Sequence, residues 1–107
     1  KNIYSRYSED AMALLGGLIR TARIERKMTV KEVAERAAIS RGLLQRIEKG
    51  DPKCAIGSVF EVATILGVPL FNSDHKTVRI HRGYVEEILT LLPRSVRKPL
   101  QAVKDDF

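Results

Sequence analysis

Arg41, Gln45, Arg46 and Lys49 fall within nine residues, between Ser40 and Gly50. A guanidinium donates two parallel hydrogen bonds and keeps its charge at any physiological pH, so arginine suits guanine edges and phosphate oxygens. The surroundings agree with that chemistry. Residues 20–53 hold ten Lys/Arg against five Asp/Glu, a surplus of +5 in a chain whose net charge is +6. Residues 1–19 balance, 54–92 come to −1 and 93–107 to +2. A local excess of this size is the electrostatic footprint expected for a polyanion. Solvated surface charge is the plain alternative, and it does not explain why the excess gathers on one stretch.

Other chemistries find little support. His75 and His81 stand six apart with no cysteine or carboxylate in metal-ligand spacing, so no metal is expected. No nucleophile–base pair, carboxylate pair or phosphate-cradling glycine loop is present; no strand precedes Gly16-Gly17. An enzyme and a cofactor are therefore not expected. RNA binding through stacked bases needs aromatic platforms. The chain has three Phe and three Tyr, none within the basic stretch. Cys54 is the lone cysteine, so no internal disulfide can form, and it reads as a small half-buried residue. That composition suits a reducing cytoplasm. No run approaches the roughly 18 apolar residues of a membrane span, and no signal peptide is visible. The chain opens at Lys1 without Met, which leaves room for missing native residues ahead of it.

These side chains need a frame, and the 107-residue chain has length for one compact domain with a tail. Ile3, Tyr4 and Tyr7 precede the first pattern. Ser8 with Glu9 and Asp10 marks a helix start, acids facing the positive end of the dipole. Ala11, Leu14, Leu15, Leu18 and Ala22 form a helical stripe running to about Lys27. Gly16-Gly17 inside it costs about 2 kcal/mol relative to alanines, which points to a close helix–helix approach. Thr29 and Glu32 make a capping box, and Val33, Ala34 and Ala37 line one face of the helix that follows. Ser40 caps another helix, with Leu44 and Ile47 inward and Gly50 at its end. Asp51-Pro52 turns the chain. A fourth helix spans about 55–66, with Val59, Phe60, Ala63 and Leu66 inward and Gly67 closing it. Residues 68–71 read as a short turn of helix or an extended segment. Beyond Asn72, Ser73 or Asp74 caps a helix carrying Val78, Val85, Ile88, Leu89 and Leu92, stopped by Pro93. A strand over 77–81 is the competing reading. Residues 93–107 hold two prolines and no period, and are expected to be extended or disordered alone.

Residues 29–50 resemble the helix-turn-helix of phage-repressor-like (Xre) regulators. The features that carry this are Thr29, Val33-Ala34, Ile39-Ser40 and Ile47-Glu48-Lys49-Gly50, and the likeness extends over roughly residues 11–71. It implies an all-α domain of about five helices over residues 8–71. It also implies a repressor that binds double-stranded DNA sequence-specifically, as a two-fold dimer on a palindromic operator. Two positions depart from the family pattern. Val30 stands where many members carry a phosphate-bracing Gln, and Ala38 where many carry a turn Gly. A left-handed Ala38 costs about 1 kcal/mol. The segment Leu-Pro-Arg-Ser-Val-Arg-Lys and the ending Val-Lys-Asp-Asp-Phe are similar to HipB-type antitoxins, which pair with HipA-type kinase toxins. A stand-alone Xre regulator is the alternative.

On this reading Arg41, Gly42, Leu43 and Arg46 contact bases. Thr29, Lys31, Ser40, Gln45, Lys49 and Lys53 meet phosphates or support those contacts. Glu48 opposes both DNA and the helix dipole, so it is expected to pair with Arg20 or Arg23. Residues 72–92 join the two copies through Val78, Val85, Ile88, Leu89 and Leu92. In the tail at 93–107, Asp105, Asp106 and Phe107 dock the kinase.

Overall fold

A computed structural model describes residues 3–99. It contains five helices and, among the described residues, no β-strand, as expected for an all-α chain. The helices are α1 (Arg6–Glu25), α2 (Val30–Ala37), α3 (Arg41–Glu48), α4 (Ile56–Ile65) and α5 (His75–Leu91). The chain divides into two compact units between Asn72 and Ser73. The first unit holds α1–α4 and the second holds α5.

Ile19, Val33, Leu44, Ile47, Val62, Ala63 and Leu66 form the centre of the first unit, each buried to within a few per cent. Every one of α1–α4 contributes, and α2, α3 and α4, at 8, 8 and 10 residues, need that shared core because isolated helices of their length are marginal in water. Residues 68–71 are not helical: Val68 is buried, Leu70 packs on the core edge, and Phe71 turns the chain at a left-handed φ of 54°, so an extended reading reaches no further than Leu70.

The first helix differs from the sequence reading in two ways. Its N-cap is Ser5, whose hydroxyl accepts from the Ser8 backbone N–H at 3.2 Å, so the helix starts a turn earlier than Ser8. Its inward face is centred on Leu15, Gly16, Ile19 and Ala22. Leu14 and Leu18 are 63% and 47% exposed, and Ala11 is exposed too. The reason lies at Gly16. A Cβ there would stand 2.6 Å from the Ile47 carbonyl oxygen and 2.8 Å from that of Glu48. Only glycine lets the two backbones meet, and that contact sets which side of α1 faces in. Gly50 answers from the other side, where a Cβ would lie 2.8 Å from Ala13 Cα. Gly17 has open space around it and takes no part in the approach.

Each of α1–α4 ends the same way. Lys27, Ala38, Gly50 and Gly67 adopt positive φ of 56°, 57°, 76° and 72°. The next residue's N–H then reaches back five positions: Met28 to Arg23, Ile39 to Ala34, Asp51 to Arg46 and Val68 to Ala63, at 2.8–3.1 Å. This is the Schellman ending, which satisfies carbonyls the helix leaves open. The left-handed Ala38 expected from the missing glycine is therefore present.

In the second unit, residues 77–81 are helical and the strand alternative fails. Asp74, not Ser73, is the N-cap, and its Oδ1 accepts from the Thr77 N–H at 2.8 Å. Hydrogen bonds from Thr77 hold the Asp74 carboxyl below the usual carboxylate range. The helix ends at Leu91, just before Pro93. Residues 93–99 have no regular structure.

Candidate nucleic-acid interface

The capping chemistry fixes where α2 and α3 begin. Thr29 Oγ1 accepts from the Glu32 N–H at 3.0 Å, and Glu32 Oε1 accepts from the Thr29 N–H at 2.7 Å, completing the capping box. Ser40 Oγ accepts from the Leu43 N–H at 3.0 Å and caps α3. Both hydroxyls are thus occupied as acceptors, though a hydroxyl keeps its own proton to donate.

The glycine contact described above seats the end of α3 on α1, while Leu44 and Ile47 anchor its inner face. Its other side is left to solvent. Arg41, Gly42, Gln45, Arg46 and Lys49 are all exposed. Leu43 differs from expectation: it is half-buried, with part of its side chain on the core edge. Arg46 lies over Gly42: a Cβ on Gly42 would meet an Arg46 guanidinium nitrogen at 3.9 Å. Arg46 Nε is also 3.9 Å from Asp51 Oδ2, a loose pair that directs an otherwise mobile side chain. Asp51 Oδ1 accepts from the Lys53 N–H at 2.8 Å, closing the turn after α3. Lys31 and Lys53 are exposed.

Glu48 is accounted for by Arg23. Arg23 Nε and Nη2 donate to Glu48 Oε2 and Oε1 at 2.7 and 3.0 Å, a bidentate pair. Arg23 Nη1 also donates to the Met28 carbonyl at 3.1 Å. One guanidinium therefore joins α1, the α1–α2 turn and the end of α3. The bond to Glu48 raises the Arg23 pKa further above its ordinary value. Arg20, the other expected partner, is exposed instead.

Arg20 lines a shallow polar cleft with Gln45 and Lys49, beside Val30. Arg20 is a contact candidate that the pattern of residues 29–53 alone does not reach. The signal was available: Arg20 and Arg23 are three apart on one helix, and a single glutamate can satisfy only one of them. Half-buried Val30 packs against the core edge and brings no polar group to this cleft.

Burial pushes the Cys54 thiol up, and Asp51 adds to that, so the sulfur is a protonated thiol at neutral pH. Among the described residues no group of His, Cys, Asp and Glu is disposed to hold a metal. Among them too, no helix is long and apolar enough to cross a membrane. Val78 is half-buried, while Val85, Ile88, Leu89 and Leu92 are each more than half exposed. Asp105, Asp106 and Phe107 lie outside the described residues.

Residues 19–71 match the family described as Helix-turn-helix, a segment that begins inside α1 and ends at the last residues of the first unit's core. Searches of curated proteins and of solved structures found no match.

Proposed function

Given that residues 19–71 form an Xre-type helix-turn-helix, the domain of a DNA-binding transcriptional regulator, we propose that this chain is a sequence-specific repressor. It acts as a dimer on a palindromic operator. The observation that carries this reading is the exposed row Arg41, Gly42, Gln45 and Arg46 on a helix whose opposite side is locked into the core. Such a helix fits a major groove, its first residues nearest the base edges. Arg41 and Arg46 read bases, Gly42 lets the backbone come close, and the outer part of Leu43 touches a thymine methyl. Thr29, Lys31, Ser40, Gln45, Lys49 and Lys53 meet phosphates or brace those contacts. Arg20 joins them, since with Lys49 it flanks the place that Val30 leaves without a donor.

A single small domain offers little surface for tight specific binding, so two copies reading two half-sites are required. The apolar side chains of α5 join them, and truncation after Phe71 yields a folded monomer that binds one half-site weakly. The similarity of residues 92–107 to HipB-type antitoxins supports a second role, binding a HipA-type kinase toxin through Asp105, Asp106 and Phe107. Deleting residues 103–107 then weakens the kinase complex and leaves operator affinity intact. An unchanged kinase affinity would leave a stand-alone regulator. Both roles belong to the cytoplasm.

The decisive experiment selects the preferred duplex from a random library and compares it with random DNA. Arg41→Ala and Arg46→Ala should each weaken the selected duplex by about 1–3 kcal/mol more than random DNA. Lys31→Ala, Lys49→Ala and Arg20→Ala should weaken both alike and lower the salt slope by roughly one per lost contact. Equal losses on both duplexes for the α3 arginines would refute base reading.

A further inference from the structure

Resting on the DNA-binding reading above, we propose that residues 93–99 form a second DNA contact, a basic arm that lies in the minor groove beside the base pairs α3 reads. Arg94 and Arg97 enter the groove, and Lys98 meets a phosphate. The segment reads Pro-Arg-Ser-Val-Arg-Lys-Pro, with three cations and no acid. All seven residues are exposed and none has regular structure. Arg94, Arg97 and Lys98 form no ion pair with another described residue. Cations that hold the fold are engaged elsewhere, as Arg23 is by Glu48. These three are left to meet something outside the chain.

Shape selects the groove. A proline brackets each end of the segment. Each proline fixes its own φ and drives the residue before it toward extended backbone. Leu92 shows the effect, at φ −94° and ψ 156° where the chain leaves α5. A chain held this way is thin. The minor groove of B-DNA is about 6 Å wide, enough for extended backbone but not for a helix about 10–12 Å across. Arg94 and Arg97 lie three residues apart, about 10 Å of extended chain. Narrow A·T-rich minor grooves concentrate negative potential. A guanidinium is more weakly hydrated than an ammonium, so it enters such a groove at lower cost. Extended basic arms take this place in other proteins whose helix reads the major groove.

The same residues disfavour a protein groove. Docking segments draw their affinity from buried aromatic and aliphatic anchors. Between the two prolines the one large apolar side chain is Val96, set between Ser95 and Arg97. The arm therefore adds sequence preference at base pairs that α3 never touches, read through groove width rather than through base edges.

Fluorescence anisotropy of the full chain on the selected duplex tests this. The pairs on either side of each selected half-site are set to A·T, to G·C or to inosine·cytosine. Inosine·cytosine shows the minor groove of A·T and the major groove of G·C. Wild type should bind the A·T and inosine·cytosine duplexes alike, and the G·C duplex roughly tenfold more weakly. Arg94→Gln, Arg97→Gln and Lys98→Gln combined should abolish that preference and lower the salt slope by roughly two to three. The melting temperature should not move, because the segment lies outside every helix. Equal wild-type affinity for all three duplexes would overturn the minor-groove assignment, as would a loss in the triple variant that is the same on all three. An unchanged affinity in the triple variant would take the arm off DNA altogether. A wild-type chain that selects no duplex from the random library would overturn the repressor reading and the arm together.

Discussion

Glu48→Gln is the sharpest test of how the interface is held. The Glu48 and Arg23 side chains are 6% and 12% exposed and joined by two short hydrogen bonds. Removing one member of a fully buried pair costs about 3–5 kcal/mol. Glutamine keeps one oxygen able to accept from Arg23, and Arg23 keeps its bond to the Met28 carbonyl. The second contact becomes donor against donor, and the guanidinium loses its counter-charge. The cost should approach the loss of one charged hydrogen bond, about 2 kcal/mol. For a domain this small, that lowers Tm by about 8–16 °C. Thermal melts followed by circular dichroism give the stability, and fluorescence anisotropy below both transitions gives affinity for the selected duplex. Stability should fall while affinity, measured on folded protein, stays close to wild type. A Tm within about 2 °C of wild type would refute the reasoning. Arg23→Met combined with Glu48→Leu should recover most of the loss, because an apolar pair carries no uncompensated charge.

The two central glycines of α1 should respond in opposite directions. Gly16→Ala drives a methyl into three backbone atoms within 2.9 Å and should cost about 3 kcal/mol or prevent folding, whereas Gly17→Ala meets nothing and should gain about 1 kcal/mol in chemical denaturation. Ala38→Gly relieves an alanine at φ 57° and should stabilise by about 1 kcal/mol; a loss would mean that the left-handed turn carries no strain. The Asp74 cap should make α5 sensitive to acid. Its carboxyl is held below the ordinary value of 3.8, so its contribution is present above that value and disappears as pH falls through the lowered one. Amide exchange at Thr77 and Val78 should accelerate over that range in wild type and show no such step in Asp74→Ala.

Much of this architecture was legible in the sequence because its signals are local. A capping box, a serine N-cap and the glycine at position 50 each bind backbone groups within a few residues, and α2 and α3 begin and end where those residues say. The orientation of α1 was not legible, because it depends on what α3 brings to it. Leu14 and Leu15 are equivalent by type, and only the contact between Gly16 and the Ile47–Glu48 backbone chooses between them. The same applies to Ser5 over Ser8: both are good caps, and nothing within one turn separates them. Glu48 lay between the two cases. Its anomalous charge announced a partner on α1, but choosing Arg23 over Arg20 required the three-dimensional position of the Met28 carbonyl. Leu43 shows the limit for the candidate interface, since outward and half-buried differ on an eight-residue helix by a small rotation.

The Gly16–Gly50 contact has a consequence for how such a protein can change its target. The joint between α1 and α3 is made by main chain and by the Arg23–Glu48 pair, none of it on the exposed row, so the angle of the outer helix owes little to the identity of the side chains there. Positions 41, 42, 45 and 46 can be exchanged as a set without resetting the mount that carries them. Recognition can then drift, or be redesigned, one residue at a time while the scaffold keeps its shape. The corresponding vulnerability is narrow. Two positions without side chains hold that freedom in place, and a single methyl at either one would tilt every contact at once.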